Sequence, residues 1–212
     1  TIFTSNRHIY DDVFNAWVAE AAENGSRLVL GQHGGYYGIS KFPTFAERHE
    51  LSVSDTYLTW GWGSTTSTLG GIILTTVGSR WKHRESRSRL LLVTDELWSH
   101  PRSVYTDIPE TSNYLDHLGL LAKSLPSTIQ QSLELRRHLG QRVVGHPVES
   151  WWLNQLPTID MGDSSIPFSK IVKNAKLVIV AHNGTTIPEN FSRGIPTLIT
   201  WTANWVEIRD EA

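Results

Sequence analysis

A histidine within a glycine-rich stretch is the side chain best placed to do chemistry in this sequence. His33 lies in the stretch GQHGGYYG, residues 31–38, which overlaps the end of the apolar run RLVLG. A histidine at that place can take a proton from an acceptor hydroxyl or contact a phosphate. Gly34 and Gly35 let the backbone approach a bound ligand. The pattern is neither GxGxxG nor a P-loop, and a tight turn around a structural histidine is the alternative.

Acidic residues follow this loop and could share its chemistry. Glu47, Glu50 and Asp55 precede the segment TYLTWGW, whose composition is that of a strand. Carboxylates act as acids, bases or nucleophiles in glycosyl chemistry, so Glu50 and Asp55 are candidate catalytic residues beside His33. The alternative is that these side chains decorate a helix or turn. The spacing of His33, Glu47 and His49 matches neither HxH nor HExxH, and we expect no metal site.

A second polar group follows the apolar run KLVIV. Asn183, Thr185, Thr186 and Glu189 belong to the stretch AHNGTTIPE, in which Asn or Thr can cap a helix and Pro suits its first turn. Free N–H groups and the helix dipole at such a start attract a phosphate. We therefore predict an anion site at Asn183, Thr185 and Thr186, with Glu189 able to bond a ribose hydroxyl; the resemblance described below implies that all four contact the donor. Ordinary helix capping is the alternative.

Two more residues follow apolar runs and could contact a phosphate. Arg102 belongs to the stretch TDELWSHPR after RLLLV, and His146 follows a predicted strand at residues 142–145. Ligands of open α/β sheets bind beyond the carboxyl ends of strands, which makes both residues candidate donor contacts. A polar loop and a structural histidine are the alternatives.

Alternating strand and helix patterns indicate the elements that must position these residues. Helical spacing over residues 9–24 predicts a helix that buries Val13 and Trp17, and residues 127–138 predict another helix. Residues 187–193 predict a helix that ends at Gly194. Apolar runs between such segments are typical of buried parallel strands. The sequence therefore predicts an α/β fold with mainly parallel sheets.

Composition limits the class of protein and its organisation. The formal net charge of −2 over 212 residues argues against a nucleic-acid partner, and cysteine is absent, which excludes disulfides. No apolar run approaches the roughly 20 residues of a membrane span. Small residues followed by the basic run RWKHRESRSR indicate a boundary, giving predicted domains at 1–84 and 85–212. The first residue is Thr, and both ends read as interrupted elements, so we expect a fragment.

The sequence resembles a family of transferases encoded in bacterial O-antigen and lipopolysaccharide gene clusters. The stretches that carry this resemblance are GQHGGYYGISKF, HELSVSDTYLTWGW and the closing segment AKLVIVAHNGTTIPENFSRGIPTLITWTANWVEIRDEA. The resemblance implies a GT-B-like fold with Rossmann-type parallel sheets flanked by helices, here one nearly complete C-terminal domain and part of an N-terminal one. It places the acceptor at residues 1–84 and the nucleotide-sugar donor at 85–212.

The resemblance also implies the reaction and its participants. The layout is similar to CDP-glycerol polymerases and CMP-sugar transferases, which implies a cytidine donor linked through CMP or CDP. The acceptor would be a glycan or lipid-linked glycan. No cofactor is expected, and the place would be the cytoplasm, at the inner membrane face through peripheral association. A polyol-phosphate transferase or nucleotide-sugar epimerase is the alternative of the same class. Nine tryptophans suggest a non-catalytic glycan-binding module instead.

Overall fold

The chain forms two compact units, each with its own parallel sheet. The computed structural model describes residues 1–41, 45–63, 65–71, 80–82, 85–95, 111–137, 148–200 and 208–209. The first unit consists of Thr1–Gly78 together with Glu207–Ala212, and the second of Ser79–Val206. The first unit therefore contains segments from the two ends of this sequence.

In its described residues, the first unit is a four-stranded sheet with two helices. Its elements are β1 (Ile2–Thr4), a 3-10 turn (Arg7–Ile9), α1 (Asp12–Glu23), β2 (Leu28–Gly31), α2 (Phe45–Val53), β3 (Thr56–Thr59) and β4 (Thr68–Gly70). The strands are parallel and follow the order β1-β2-β3-β4. Buried side chains on β2 and β3 pack with Val18 of α1 and with Tyr37, which lies in the loop after β2. This core fixes the loop that contains His33.

The second unit has the same architecture with a different strand order. Its elements are β5 (Arg89–Val93), α3 (Thr111–Ser124), α4 (Ser127–Gln130), β6 (Leu133–Arg136), α5 (Val148–Gln155), α6 (Phe168–Ile171), a 3-10 turn (Val172–Asn174), β7 (Ala175–Val180), α7 (Thr186–Arg193) and β8 (Thr197–Ile199). The parallel strands follow the order β6-β5-β7-β8. Strands β5 and β7 are the most buried, as the continuous apolar runs predict.

The predicted α/β class is confirmed. Two four-stranded parallel sheets flanked by helices are a Rossmann-like architecture consistent with a GT-B-like fold. The predicted ending of α7 is confirmed as well, since Gly194 follows it with a φ of 71°, the left-handed conformation that glycine adopts without strain. Among the described residues, no helix combines the length and the apolarity that crossing a membrane requires.

Helix α1 buries a different face from the predicted one. Phe14 and Val18 face the sheet, whereas Val13 is 81 % and Trp17 52 % exposed. The prediction that Val13 and Trp17 line the buried face is therefore wrong. Apolar residues on this helix form two overlapping stripes one position apart, and periodicity alone does not choose between them. The choice is made by the strands against which the helix packs.

The prediction of one helix over residues 127–138 is also wrong. After the short helix α4 the chain turns into strand β6, which pairs with β5 through the partners Leu90 and Leu133. Leu133 and Leu135 are buried, while Glu134 and Arg136 between them are half-buried. Leu, Glu and Arg favour helices in isolation, but pairing with β5 buries alternate side chains and overrides that preference.

Candidate functional site

His33 lies at the carboxyl end of β2, in a loop that Gln32 holds in place. The buried side chain of Gln32 accepts hydrogen bonds from the Trp60 backbone N–H at 2.9 Å and the Trp62 indole N–H at 2.7 Å. Its amide donates to the Gly34 carbonyl oxygen at 2.6 Å. One glutamine thus ties the histidine loop to the segment after β3. Because the partners of Gln32 lie about thirty residues away, no local pattern in the sequence predicts this role.

Close packing explains two of the loop's glycines. Gly38 has a φ of +75°, and a Cβ atom there would lie 2.2 Å from Cδ2 of Trp62. A Cβ atom on Gly34 would lie 3.2 Å from the ring of Tyr36 and 3.3 Å from that of Tyr37. Gly35 is buried beside them. The loop therefore packs tightly on its own aromatic rings, which limits the conformations open to His33.

A fully buried carboxylate lies next to His33. Glu50 of α2 accepts a hydrogen bond at Oε1 from the Tyr37 hydroxyl at 3.1 Å and one at Oε2 from the Tyr57 hydroxyl at 2.8 Å. Nδ1 of His33 is 3.7 Å from Oε1. Nε2 of His8, in the turn after β1, is 3.1 Å from the same oxygen. A buried carboxylate is tolerated when several donors bond to it, and this one lies among two histidines and two tyrosines.

This surrounding sets the protonation of the cluster. Burial lowers the pKa of His33 below its ordinary value; the charge of Glu50 opposes this shift and that of His8 reinforces it. Burial and the Glu50 charge raise the pKa values of Tyr37 and Tyr57. Both tyrosines therefore remain hydrogen-bond donors, and His33 remains neutral at pH 7. A neutral, partly exposed imidazole is the form that can accept a proton.

Glu47 completes the support of the loop from the other turn of α2. It is buried and pairs with Arg209, whose guanidinium is 2.6 Å from Oε1. Its Oε2 accepts a hydrogen bond from the Gly38 backbone N–H at 3.1 Å. The guanidinium of Arg209 also donates to the Ser40 carbonyl oxygen at 2.8 Å. Glu47 is thus a structural anchor, which agrees with the non-catalytic interpretation of this residue.

Asp55 is not brought to His33. Its carboxylate accepts a hydrogen bond from the Leu28 backbone N–H at 2.7 Å, at the beginning of β2 and just before β3. His33 follows the carboxyl end of β2, whereas Asp55 lies at the amino ends of β2 and β3. The two side chains are therefore at opposite ends of the parallel strands. The prediction that Asp55 acts together with His33 is therefore corrected: Asp55 instead connects the start of β2 to the start of β3. Of the two predicted catalytic carboxylates, Glu50 and Asp55, Glu50 is the one that lies beside His33.

The strand order of the second unit has a switch point between β5 and β7. The connection from β5 leads to β6 on one side, and the connection from β7 leads to β8 on the other. Ligands of open α/β sheets bind at such a reversal, outside the carboxyl ends of the two strands. Thr94 and Asp95 follow β5 there, and the Asp95 backbone N–H donates to the Tyr114 hydroxyl at 2.9 Å. Oγ1 of Thr94 is buried and has no hydrogen-bond partner among the described residues.

The four residues predicted to contact the donor follow β7, one of the two strands at this switch point. Thr185 is the N-cap of α7, Thr186 opens the helix and Glu189 lies in its first turn. Asn183 precedes them, and all four side chains are partly exposed. The turn leading into the helix is fixed by the buried His182, because its Nδ1 accepts the Gly184 backbone N–H at 2.9 Å.

Sequence reasoning identified some of these residues and missed others. His33 and Glu50 come together in the first unit, and Asn183, Thr185, Thr186 and Glu189 in the second. Arg102, His146 and the predicted strand at 142–145 lie outside the described residues. His8, Tyr37, Tyr57, Thr94 and His182 were missed, although the position of Thr94 directly after the RLLLV strand was an available signal. In the described part of the chain, no group of His, Asp and Glu side chains has the arrangement of a metal site.

Three of the described tryptophans differ widely in exposure. Trp152 is fully buried, and Trp62 is half-buried over Gly38. Trp17 on α1 is exposed. Stacking on a glycan requires exposed rings grouped along one surface. Of these three rings, one is exposed, one is half-buried and one is fully buried. They therefore give no support to the glycan-binding alternative.

Comparison with known proteins gives the class of the molecule. No curated protein and no solved structure matches the chain. The model of one protein family, described as LIC12162 family transferase, matches residues 1–212, which is the whole sequence. The chain therefore belongs to the LIC12162 family of transferases.

Proposed function

We propose that this transferase is a GT-B-type glycosyltransferase, which moves a sugar from a nucleotide-activated donor to a growing bacterial surface glycan. The observation that carries the proposal is the neutral, partly exposed His33 beside the buried Glu50. Sugar transfer to a hydroxyl needs a group that accepts the hydroxyl proton, and this pair can supply it. The O-antigen or lipopolysaccharide acceptor rests on the resemblance of the two motifs alone.

The second unit is the proposed donor-binding unit. Helix α7 begins after the carboxyl end of β7, next to the switch point between β5 and β7, and its first N–H groups and dipole favour a phosphate. Thr185 and Thr186 add hydroxyls there, and Thr94 adds a buried hydroxyl without a partner among the described residues. A buried hydroxyl without a partner is costly, and a bound nucleotide would satisfy it. The donor base is proposed to be cytosine, on the similarity of layout already described.

The proposed transfer needs one group that stabilises the leaving phosphate and one group that accepts the proton of the acceptor hydroxyl. The bond between the anomeric carbon and the nucleotide phosphate breaks, and its electron pair leaves with the phosphate. The start of α7 stabilises the negative charge that develops there. The acceptor oxygen forms the new bond to the anomeric carbon and loses its proton to His33. Glu50 stabilises the resulting imidazolium from its buried position. We propose that the enzyme acts in the cytoplasm, at the inner face of the membrane.

A thermal-shift screen against CMP, CDP, UDP, GDP and ADP at millimolar concentration tests the donor site. A nucleotide at about 100 times its Kd adds about 2.7 kcal/mol to stability. That gain raises the melting temperature by roughly 5–11 °C for a chain of this size. We expect one nucleotide to give this shift and the double variant Thr185→Ala, Thr186→Ala to abolish it. Thr128→Ala is the matched control, because Thr128 is exposed on α4, before β6.

Two results would overturn the proposal. A folded chain that no nucleotide stabilises would remove the donor site. A His33→Gln variant that binds nucleotide and still transfers sugar at the wild-type rate would remove the proposed base. Analysis of the product with the stabilising nucleotide's sugar and polyol conjugates separates sugar transfer from polyol-phosphate transfer and epimerisation.

A further inference from the structure

A second histidine reaches the buried carboxylate from a different strand. His8 lies in the 3-10 turn that follows β1, and β1 is the parallel neighbour of β2. The carboxyl ends of the two strands therefore lie side by side, and each is followed by a histidine. The turn is fixed by the Arg7 backbone N–H, which donates to Oγ1 of Thr4 at 3.0 Å. The Asn15 amide also donates to the His8 carbonyl oxygen at 2.9 Å.

Both histidines approach the same oxygen atom. Oε1 of Glu50 is 3.1 Å from Nε2 of His8 and 3.7 Å from Nδ1 of His33. The Tyr37 hydroxyl also bonds to this oxygen and lies 3.3 Å from Nδ1 of His33. The second oxygen, Oε2, accepts the Tyr57 hydroxyl. Oε1 is thus a shared contact through which a charge on one imidazole affects the other.

The contacts of His8 favour an electrostatic role over space filling. Its side chain is 10 % exposed, and its Nδ1 atom is buried with no hydrogen-bond partner among the described residues. A buried nitrogen without a partner destabilises the fold, so an apolar side chain would fill this space at lower cost. The side-chain hydrogen bond of His8 in the described structure goes to Glu50. Beyond packing, the imidazole of His8 therefore acts on Glu50, through this hydrogen bond and through its charge when it is protonated.

We propose that His8 is a positioning residue of the transfer site, which acts through Glu50 to keep His33 neutral and ready to accept a proton. The inference rests on the proposed function, in which His33 is the base. When His8 carries a proton it pairs with the carboxylate, and His33 then faces a neutral pair instead of an uncompensated negative charge. The charge of His8 accordingly lowers the pKa of His33, in addition to the effect of burial.

The other charged groups around the cluster are already paired. Glu47 on the neighbouring turn of α2 is paired with Arg209, and Arg7 beside His8 is paired with Asp11 at 2.7 Å. Tyr37 and Tyr57 stay protonated, as their raised pKa values require. The charges that act on His33 within this cluster are therefore those of Glu50 and His8.

An NMR titration of the chain with ¹⁵N-labelled histidine tests the proposal without a substrate. In the wild-type protein we expect the His33 ring signal to change in two steps, one of which coincides with the titration of His8. In His8→Gln we expect a single step whose midpoint lies at higher pH, because Glu50 then acts on His33 alone. His49→Gln is the matched control: it removes an exposed histidine adjacent to Glu50 in sequence and should leave the His33 curve unchanged.

The route through the carboxylate is tested by a double variant. In a Glu50→Gln background, adding His8→Gln should leave the His33 midpoint where it was, since the shared charge is gone. Independent single-step titrations of His8 and His33 in the wild-type protein would overturn the proposal, with no variant required to fold. An unchanged or lowered His33 midpoint in a folded His8→Gln protein would overturn it as well.

The same variants separate this inference from the proposed function. Nucleotide binding in the thermal-shift screen should be the same in His8→Gln and in wild type, because His8 is not one of the proposed donor contacts. If no nucleotide stabilises the wild-type chain, the proposed donor site is refuted, but the inferred electrostatic coupling of His8 and His33 can still be tested by the NMR titration. With an active donor, the acid side of the pH–rate profile should move to higher pH in His8→Gln.

Discussion

Replacement of Gly38 by alanine tests the packing of the histidine loop. The new residue would adopt a φ of +75°, and its Cβ atom would lie 2.2 Å from Cδ2 of Trp62. The left-handed conformation costs an L-residue roughly 1–2 kcal/mol. Forcing an extra carbon into a packed site costs roughly 1–3 kcal/mol more. We therefore expect Gly38→Ala to destabilise the chain by about 2–5 kcal/mol.

Gly25→Ala is the control that separates the two contributions. Gly25 has a φ of +84°, and a Cβ atom added there meets nothing within 4 Å. It therefore carries only the conformational cost of about 1–2 kcal/mol. The difference between the two variants is the cost of the contact with Trp62, about 1–3 kcal/mol.

Urea unfolding followed by circular dichroism measures both variants, and a thermal melt gives an independent value. The difference between them corresponds to roughly 2–12 °C in melting temperature for a chain of this size. In a Trp62→Ala background the two glycine substitutions should cost the same, because the colliding ring is gone. Equal destabilisation in the wild-type background would refute the reasoning, since it would mean that Trp62 does not lie over the loop.

Three further predictions address the rest of the molecule. Gly184→Ala would place a Cβ atom 2.7 Å from Nδ1 of His182, so we expect nucleotides to stabilise this variant less in the thermal-shift assay. Gly194→Ala is the control, because a Cβ atom there meets nothing within 4 Å. Because the folded-state pKa of His33 is lowered from 6.5, the unfolded chain binds the proton first, and stability should fall as the pH drops below about 6.5, less so in His33→Gln. Arg209→Ala leaves a buried carboxylate without its guanidinium and should cost roughly 1–3 kcal/mol in urea unfolding, an effect that an exposed Arg→Ala change on α2 should not show.

Local signals in the sequence predicted the elements whose boundaries are set locally. Helix α7 was placed almost to the residue, because a turn of Asn, Gly and Thr precedes it and Gly194 follows in the left-handed conformation. The buried strands β5 and β7 were also predicted from a local signal, because each is a continuous apolar run. The histidine loop and the turn before α7 were identified as candidate sites because each directly follows such a strand.

Long-range contacts decided what the sequence did not reveal. Residues 133–136 favour a helix in isolation and became β6 only through pairing with β5. Glu50 was a candidate from its residue type, but His8 was not, since the two are 42 positions apart. Asp55 was a plausible partner of His33 in sequence and lies at the opposite end of the parallel strands, because a strand separates its position from the loop. Residue types therefore indicated chemistry, and topology selected which of them meet.

The return of the chain to its first unit determines when that unit can be finished during synthesis. Arg209 bonds to Glu47, Ser40 and Ile39, all of which leave the ribosome long before it does. At about 5–20 residues per second, the loop waits roughly 10–30 s for this contact. The whole second unit emerges in that interval. The first unit is therefore completed only after the second unit has been synthesised, and a nascent chain released before Arg209 would carry its histidine loop without the guanidinium that fastens it.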